Sequence, residues 1–251
     1  MLNEREGLVS RAESIIKMQE KKRPQENLFT DFNKVFINGI FEEELEYSHE
    51  VMWEHFYRTK VGVERRSGII DSIPIVVSER LIGDGWMKLS LIGKRVEIAG
   101  QFRSYNRKDD NSEKKHLDLF VFVTAINIYD KESSVIAEEN KMQNIIYLDG
   151  YICKKPEYRS TPLGREISDI FIAVNRPFWR SDYIPCIAWG RLARWSAEFE
   201  VGDRIQIYGR IQSRKYFKRE FGSSVEGEYK EAYEISVKKL KKVSSNQEGI
   251  I

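Results

Sequence analysis

The chain has 251 residues, 41 % of them apolar, with 41 Lys+Arg against 39 Asp+Glu. That is enough apolar material for two cores of about 100 residues each, while no run reaches the roughly 18 apolar residues of a membrane-spanning helix. The charged start Met-Leu-Asn-Glu-Arg-Glu argues against a secretory leader. Cys153 and Cys186 are too few for a disulfide framework and lie in apolar strands, so both are expected to be buried, in a reducing cytoplasm.

Taken in chain order, the first expected element is a helix over 4–22, with Leu8, Ala12, Ile15 and Ile16 on one stripe and Pro24 beyond its end. It belongs to an N-terminal extension, residues 1–32. From Asn33 the apolar period changes from helical to alternating. Strands are expected near 34–41, 56–65, 73–78, 94–103 and 117–128, with a short helix at 81–90 and a polar hairpin over 106–116. Residues 131–143 read as a polar linker. Strands follow near 145–153, 167–176, 183–189, 204–214 and 231–240, with a helix at 191–199, a polar hairpin over 218–230 and a tail from 244. Gly39, Gly100, Gly150 and Gly209 interrupt the first and fourth strand of each set, where a bent strand needs a bulge or kink.

The two sets are copies. Residues 33–81 align with 144–192 at a constant offset of 111, and 11 of the 49 positions are identical, among them Gly39/Gly150, Tyr47/Tyr158, Arg65/Arg176 and Asp71/Asp182. Each copy can close its own core. Five strands with a helix between the third and fourth is the order of an OB-fold, a small Greek-key barrel. The expected architecture is therefore mainly β: a first OB-fold over 33–130 and a second over 144–243.

The copies differ in what they expose. Residues 144–243 carry 19 Lys+Arg against 13 Asp+Glu, whereas residues 33–143 carry 16 against 19. A basic half beside an acidic one points to a polyanion held by the second copy. Catalytic signals are nearly absent: His49, His55 and His116 are scattered, no zinc-ligand spacing or phosphate-binding glycine loop occurs, and no cofactor or metal is implied.

The informative stretch runs from Ile172 to Ala193. Strand alternation points Ile184, Cys186 and Ala188 inward and Tyr183, Ile187 and Trp189 outward. Phe178 and Trp179 lie in the hairpin just before. Arg176, Arg180, Arg191, Arg194, Arg210, Arg214 and Lys215 surround them, followed by Tyr216 and Phe217, while Trp195 falls within the short helix and reads as core or interface. Aromatics among cations form a stacking platform with an electrostatic groove, suited to single-stranded nucleic acid. At the repeat offset Phe178 becomes Ser67, Trp179 becomes Gly68, Tyr183 becomes Ser72 and Trp189 becomes Ser78. The acidic run Glu42-Glu43-Glu44-Leu-Glu46 stands near the place of Lys154 and Lys155. The first copy thus reads as core kept and platform erased.

Asn144-Ile-Ile-Tyr-Leu-Asp-Gly150, Pro156-Glu-Tyr-Arg159, Thr161-Pro-Leu-Gly164, Ala173-Val-Asn-Arg-Pro177, Ala188-Trp-Gly-Arg-Leu-Ala193 and Gly209-Arg-Ile-Gln-Ser-Arg-Lys-Tyr216 occur in the order of the bacterial single-stranded DNA-binding protein family, which the second copy resembles. The resemblance implies stacking by Trp179, Tyr183, Trp189 and Tyr216, and four OB-folds wrapping DNA, hence a homodimer. It also implies a flexible acidic tail ending in Pro-Phe, from which Ser-Asn-Gln-Glu-Gly-Ile-Ile departs. The expectation is a non-enzymatic binder of single-stranded DNA acting in replication, recombination or mobile-element transfer. A protein-assembly scaffold and a single-stranded RNA binder of the same architecture are the alternatives.

Overall fold

In the computed structural model the described residues are 32–109, 112–129, 143–219 and 227–243. The expected helix at 4–22, nearly all of the linker and the tail lie outside them. The first domain contains β1 (Asn33–Phe41), β2 (Glu46–Val51), β3 (Glu54–Glu64), β4 (Ile70–Ser78), α1 (Glu79–Ile82), α2 (Asp84–Met87), β5 (Arg95–Asp109) and β6 (Ser112–Tyr129). The second contains β7 (Gln143–Ser160), β8 (Glu166–Arg176), β9 (Arg180–Trp189), α3 (Arg191–Ser196), β10 (Arg204–Arg219) and β11 (Gly227–Lys242).

Each set closes into a barrel. In the first, β1 pairs with β3 and β5, β5 with β6, β6 with β4 in parallel, and β4 with β3. In the second, the circuit runs β7, β8, β9, β11, β10 and back to β7, again with one parallel contact, β11 to β9. β-Branched residues on alternate positions fill the interiors: Ile73, Ile75 and Val77 in the first barrel and Ile172, Val174 and Ile184 in the second are fully buried. Burying each such side chain stabilises the fold by roughly 1.5–3 kcal/mol.

The gapless repeat holds in space, since Ile40 pairs with Gly62 and Tyr151 with Ala173, the same two positions 111 residues on. The glycines do two jobs. The ladder slips at Ala99/Gly100 and at Tyr208/Gly209, bulges that let the long fourth strand bend round the barrel. At Gly39 and Gly150 a Cβ would sit 2.5 Å from the carbonyl oxygen of Gly62 or Ala173, so the strands there approach too closely for any side chain.

Three expectations need correction. β2 was missed by alternation: the ladder between β2 and β3 slips between Tyr47 and His49, which breaks the period-2 pattern. The first barrel's helix is two short turns, 79–82 and 84–87, broken at Gly83, and the second's stops at Ser196. Cys153 is only half-buried, its Sγ donating to the Phe171 carbonyl at 3.2 Å, whereas Cys186 is buried, which pushes its thiol well above the ordinary range.

The two barrels join edge to edge. β1 and β7 run antiparallel from Asn33–Leu148 to Asn38–Gln143, merging the eleven strands of the described residues into one sheet. The pairing is symmetric under the repeat, because Asn33 faces Leu148 and Ile37 faces Asn144. Asn33 extends its ladder one step by donating from Nδ2 to the Phe102 carbonyl (2.7 Å) and accepting from the Phe102 N–H (2.9 Å). Asn144 does the same to Ile211 at 2.6 and 2.9 Å.

Candidate nucleic-acid interface

β8 and β9 are joined by Pro177-Phe178-Trp179, with Arg176 paired to Arg180. Phe178 and Trp179 have φ of 65° and 58°. An L-residue pays about 1–2 kcal/mol for that left-handed region. The conformation leaves their rings 91 % and 104 % exposed. Two strained, uncovered aromatics stabilise nothing in the free protein, which makes the hairpin a functional candidate.

Behind the hairpin lies the outer face of the second barrel. Tyr183 and Trp189, 40 % and 38 % exposed, lie on it with Ile187, which shares their direction but is buried. Tyr183 stacks on Phe171 with centroids 6.2 Å apart and planes 22° apart. From β10, Arg214 lies 5.7 Å over the Tyr216 ring. Lys215 and Phe217 point to the other side of that hairpin by alternation, where Phe217 meets Tyr229 edge-on at 5.2 Å. Tyr229 is 78 % exposed, and sequence reading missed it. Its signal is the β10–β11 register, which sets it opposite Phe217. Trp195 packs edge-on against Phe199 at 5.0 Å but remains 39 % exposed.

The cations divide into three groups. Arg180, Arg191, Arg214 and Lys215 are exposed, and among the described residues none pairs with a carboxylate. Arg159 donates to Asp169 at 2.7 Å, and that hydrogen bond raises its pKa. Arg176 and Arg210 are instead drawn into the seam between the barrels. Arg210 Nη1 donates to Asp71 Oδ2 at 2.8 Å, as does Arg65 Nε, and the Ser213 N–H donates to Asp71 Oδ1 at 3.0 Å. Across the pseudo-two-fold, the Ser104 N–H donates to Asp182 Oδ1 at 2.9 Å, with Arg176 Nε and Arg103 Nε 3.3 and 4.0 Å from Oδ2. The Ser72 N–H reaches Ser213 Oγ and the Tyr183 N–H reaches Ser104 Oγ, at 3.1 and 2.8 Å. The repeat identities Asp71/Asp182 and Arg65/Arg176 therefore mark how the copies bind one another. Sequence reading had assigned Arg176 and Arg210 to the ligand.

Ser72 and Ser78 stand on the first barrel where Tyr183 and Trp189 stand on the second. Yet that face is not bare: Phe56, Phe120 and Phe122 are half-buried on it. Position-by-position comparison overlooked them because they lie on neighbouring strands. Among the described residues no group of three or more His, Cys, Asp or Glu is placed to hold a metal ion, and no helix is long and apolar enough to cross a membrane.

Residues 143–243 match the Single-strand binding protein family. Single-stranded DNA-binding protein 2 of Listeria monocytogenes is 33 % identical over 119 residues, 43 % of this chain and 70 % of that protein. Single-stranded DNA-binding protein 3 of Listeria innocua is 37 % identical over 82 residues, 30 % of this chain and 51 % of that protein. The chain spans about half the length of most of the curated relatives it matches. Among solved structures, the single-stranded DNA binding protein from Thermus aquaticus superposes with a TM-score of 0.66, covering 86 % of this chain and 94 % of that one at 18 % identity, a likeness of fold.

Proposed function

The chain belongs to the single-strand binding protein family, and from that premise we propose that it binds single-stranded DNA without sequence preference. Bases stack on Trp179, Phe178, Tyr183, Trp189 and Tyr216, while Arg180, Arg191, Arg214 and Lys215 meet phosphates. The observation that carries this reading is the hairpin bearing Phe178 and Trp179, held in a strained conformation with both rings almost wholly bare. Every base offers a π-face, so stacking tolerates any sequence; a duplex hides those faces. The binding is non-enzymatic and serves DNA exposed in replication, recombination or element transfer.

Titration of tryptophan fluorescence with oligo-dT tests it. Quenching is expected with single strands and not with duplex. Four phosphates met by Arg180, Arg191, Arg214 and Lys215 give a slope of log K against log salt near about −3. Replacing Trp179 and Trp189 together by Ala should weaken binding by roughly 2–6 kcal/mol, from about 1–3 per stacked base. Equal affinity for duplex and single strand, or a flat salt response, refutes the proposal.

A further inference from the structure

The first barrel's outer face carries rings that have changed strands. Across β8 and β9, Trp189 stands opposite Ile167; at the corresponding pair, Ser78 stands opposite Phe56. Across β9 and β11, Ile187 lies beside Ser236; at the corresponding pair, Val76 lies beside Phe122. Directly opposed side chains share one patch of surface, with Cβ atoms about 5 Å apart. The patch that Trp189 occupies on the second barrel is therefore occupied from the neighbouring strands, by Phe56 and Phe122, on the first.

These rings form a line. His49 lies flat on Phe56, with centroids 4.9 Å apart and planes 6° apart, and Phe56 is 5.8 Å from Phe122. The Arg103 guanidinium lies 5.6 Å over Phe122, and Arg58 lies 5.9 Å over Phe120. Arg103 then reaches toward Asp182, and the adjacent Ser104 receives the Tyr183 N–H. The line thus ends at the seam where the Tyr183–Phe171 stack begins.

We propose that this strip is a second contact for single-stranded DNA, continuous with the first across the seam, which takes bases by stacking and not phosphates by charge. It rests on the reading of the second barrel given above. The flat His49–Phe56 stack shows that the Phe56 face admits a planar ring, and the exposed His49 ring offers the next rung. Of the local cations, Arg103 bonds Gln101 and faces Asp182, while the exposed Arg58 donates from Nε to Ser48 Oγ at 3.0 Å and keeps its charge. Glu54, which accepts from the Ser78 hydroxyl opposite Phe56, borders the strip and disfavours phosphate there. The rings themselves carry no charge, so the affinity they add should come without extra salt dependence.

The test is Phe56→Ile with Phe122→Ser, the residues that the second barrel itself carries at these places, in the full chain. Oligo-dT of about 10 nucleotides engages one barrel and about 30 engages both. Loss of about tenfold or more in affinity for the long oligomer is expected, with the short oligomer and the salt slope unchanged. Unchanged affinity for the long oligomer, or equal loss for both lengths, overturns the proposal. Should the double variant unfold early on heating, the exposed His49→Ala decides: a loss of about threefold for the long oligomer alone supports the strip, and no loss sinks it. Failure of the parent reading looks different, because Trp179→Ala with Trp189→Ala would then leave both lengths tightly bound.

Discussion

Asp71 and Asp182 hold equivalent places in the two barrels, yet their surroundings are unequal. Asp71 is 1 % exposed and accepts from Arg65, Arg210 and the Ser213 N–H. Asp182 is fully buried, and among the described residues its Oδ2 has no hydrogen-bond partner. A buried carboxylate whose bonds are made is costly to neutralise; one half-served is not. Asp71→Asn should lower unfolding free energy by about 3 kcal/mol and Asp182→Asn by about 1 kcal/mol or less, read from urea denaturation. Equal losses would refute the asymmetry. Burial is the main reason the Asp182 carboxyl is held above its ordinary 3.8, opposed by the Ser104 N–H and the two arginines. The folded state therefore takes up this proton at a higher pH than the unfolded chain. Stability from this group rises as pH falls from neutral through the folded pKa, and the gain is complete below the unfolded value. Wild type should gain on Asp182→Asn over that acid window; a constant difference would contradict the assignment.

At the scale of the element, the hairpins show where stability was set aside for exposure. Phe178–Trp179 and Met52–Trp53 both take positive φ with non-glycine residues, and Met52 and Trp53 are each 89 % exposed. Phe178→Asn with Trp179→Gly supplies residues suited to that backbone, so it should raise stability by roughly 1–2 kcal/mol. The same change should weaken oligo-dT binding severely. A thermal melt paired with a fluorescence titration checks both, and a variant that loses stability and keeps binding would contradict the argument. Much of this scale was legible beforehand. Alternation located ten strands because buried β-branched residues recur at every second position, as in Ile73, Ile75 and Val77. It failed at β2, where Glu-Tyr-Ser-His-Glu-Val is exposed or half-buried on both faces and has no core side to betray it.

Across the whole molecule, β1 and β7 make one chain a pseudo-symmetric pair of barrels. The four-barrel assembly expected from the resemblance then needs only one pairing of two copies, and a two-fold is the commonest way to make it. Light scattering at micromolar concentration should give twice the mass of 29.5 kDa. A monomeric mass that DNA does not change would refute the dimer.

The sequence by itself determined the two barrels, their gapless register and the exposed aromatic stretch of the second. All three are written in local periodicity and in the 111-residue repeat, which need no knowledge of distant contacts. Only the tertiary structure decided which arginines remain available. Arg176 and Arg180 face each other across one hairpin, but one is pulled toward a buried carboxylate and the other is left in solvent. It also decided that Phe56 and Phe122 take the patch vacated at Ser78. Surface is shared between opposed strands, and a patch can keep its chemistry while every position within it changes.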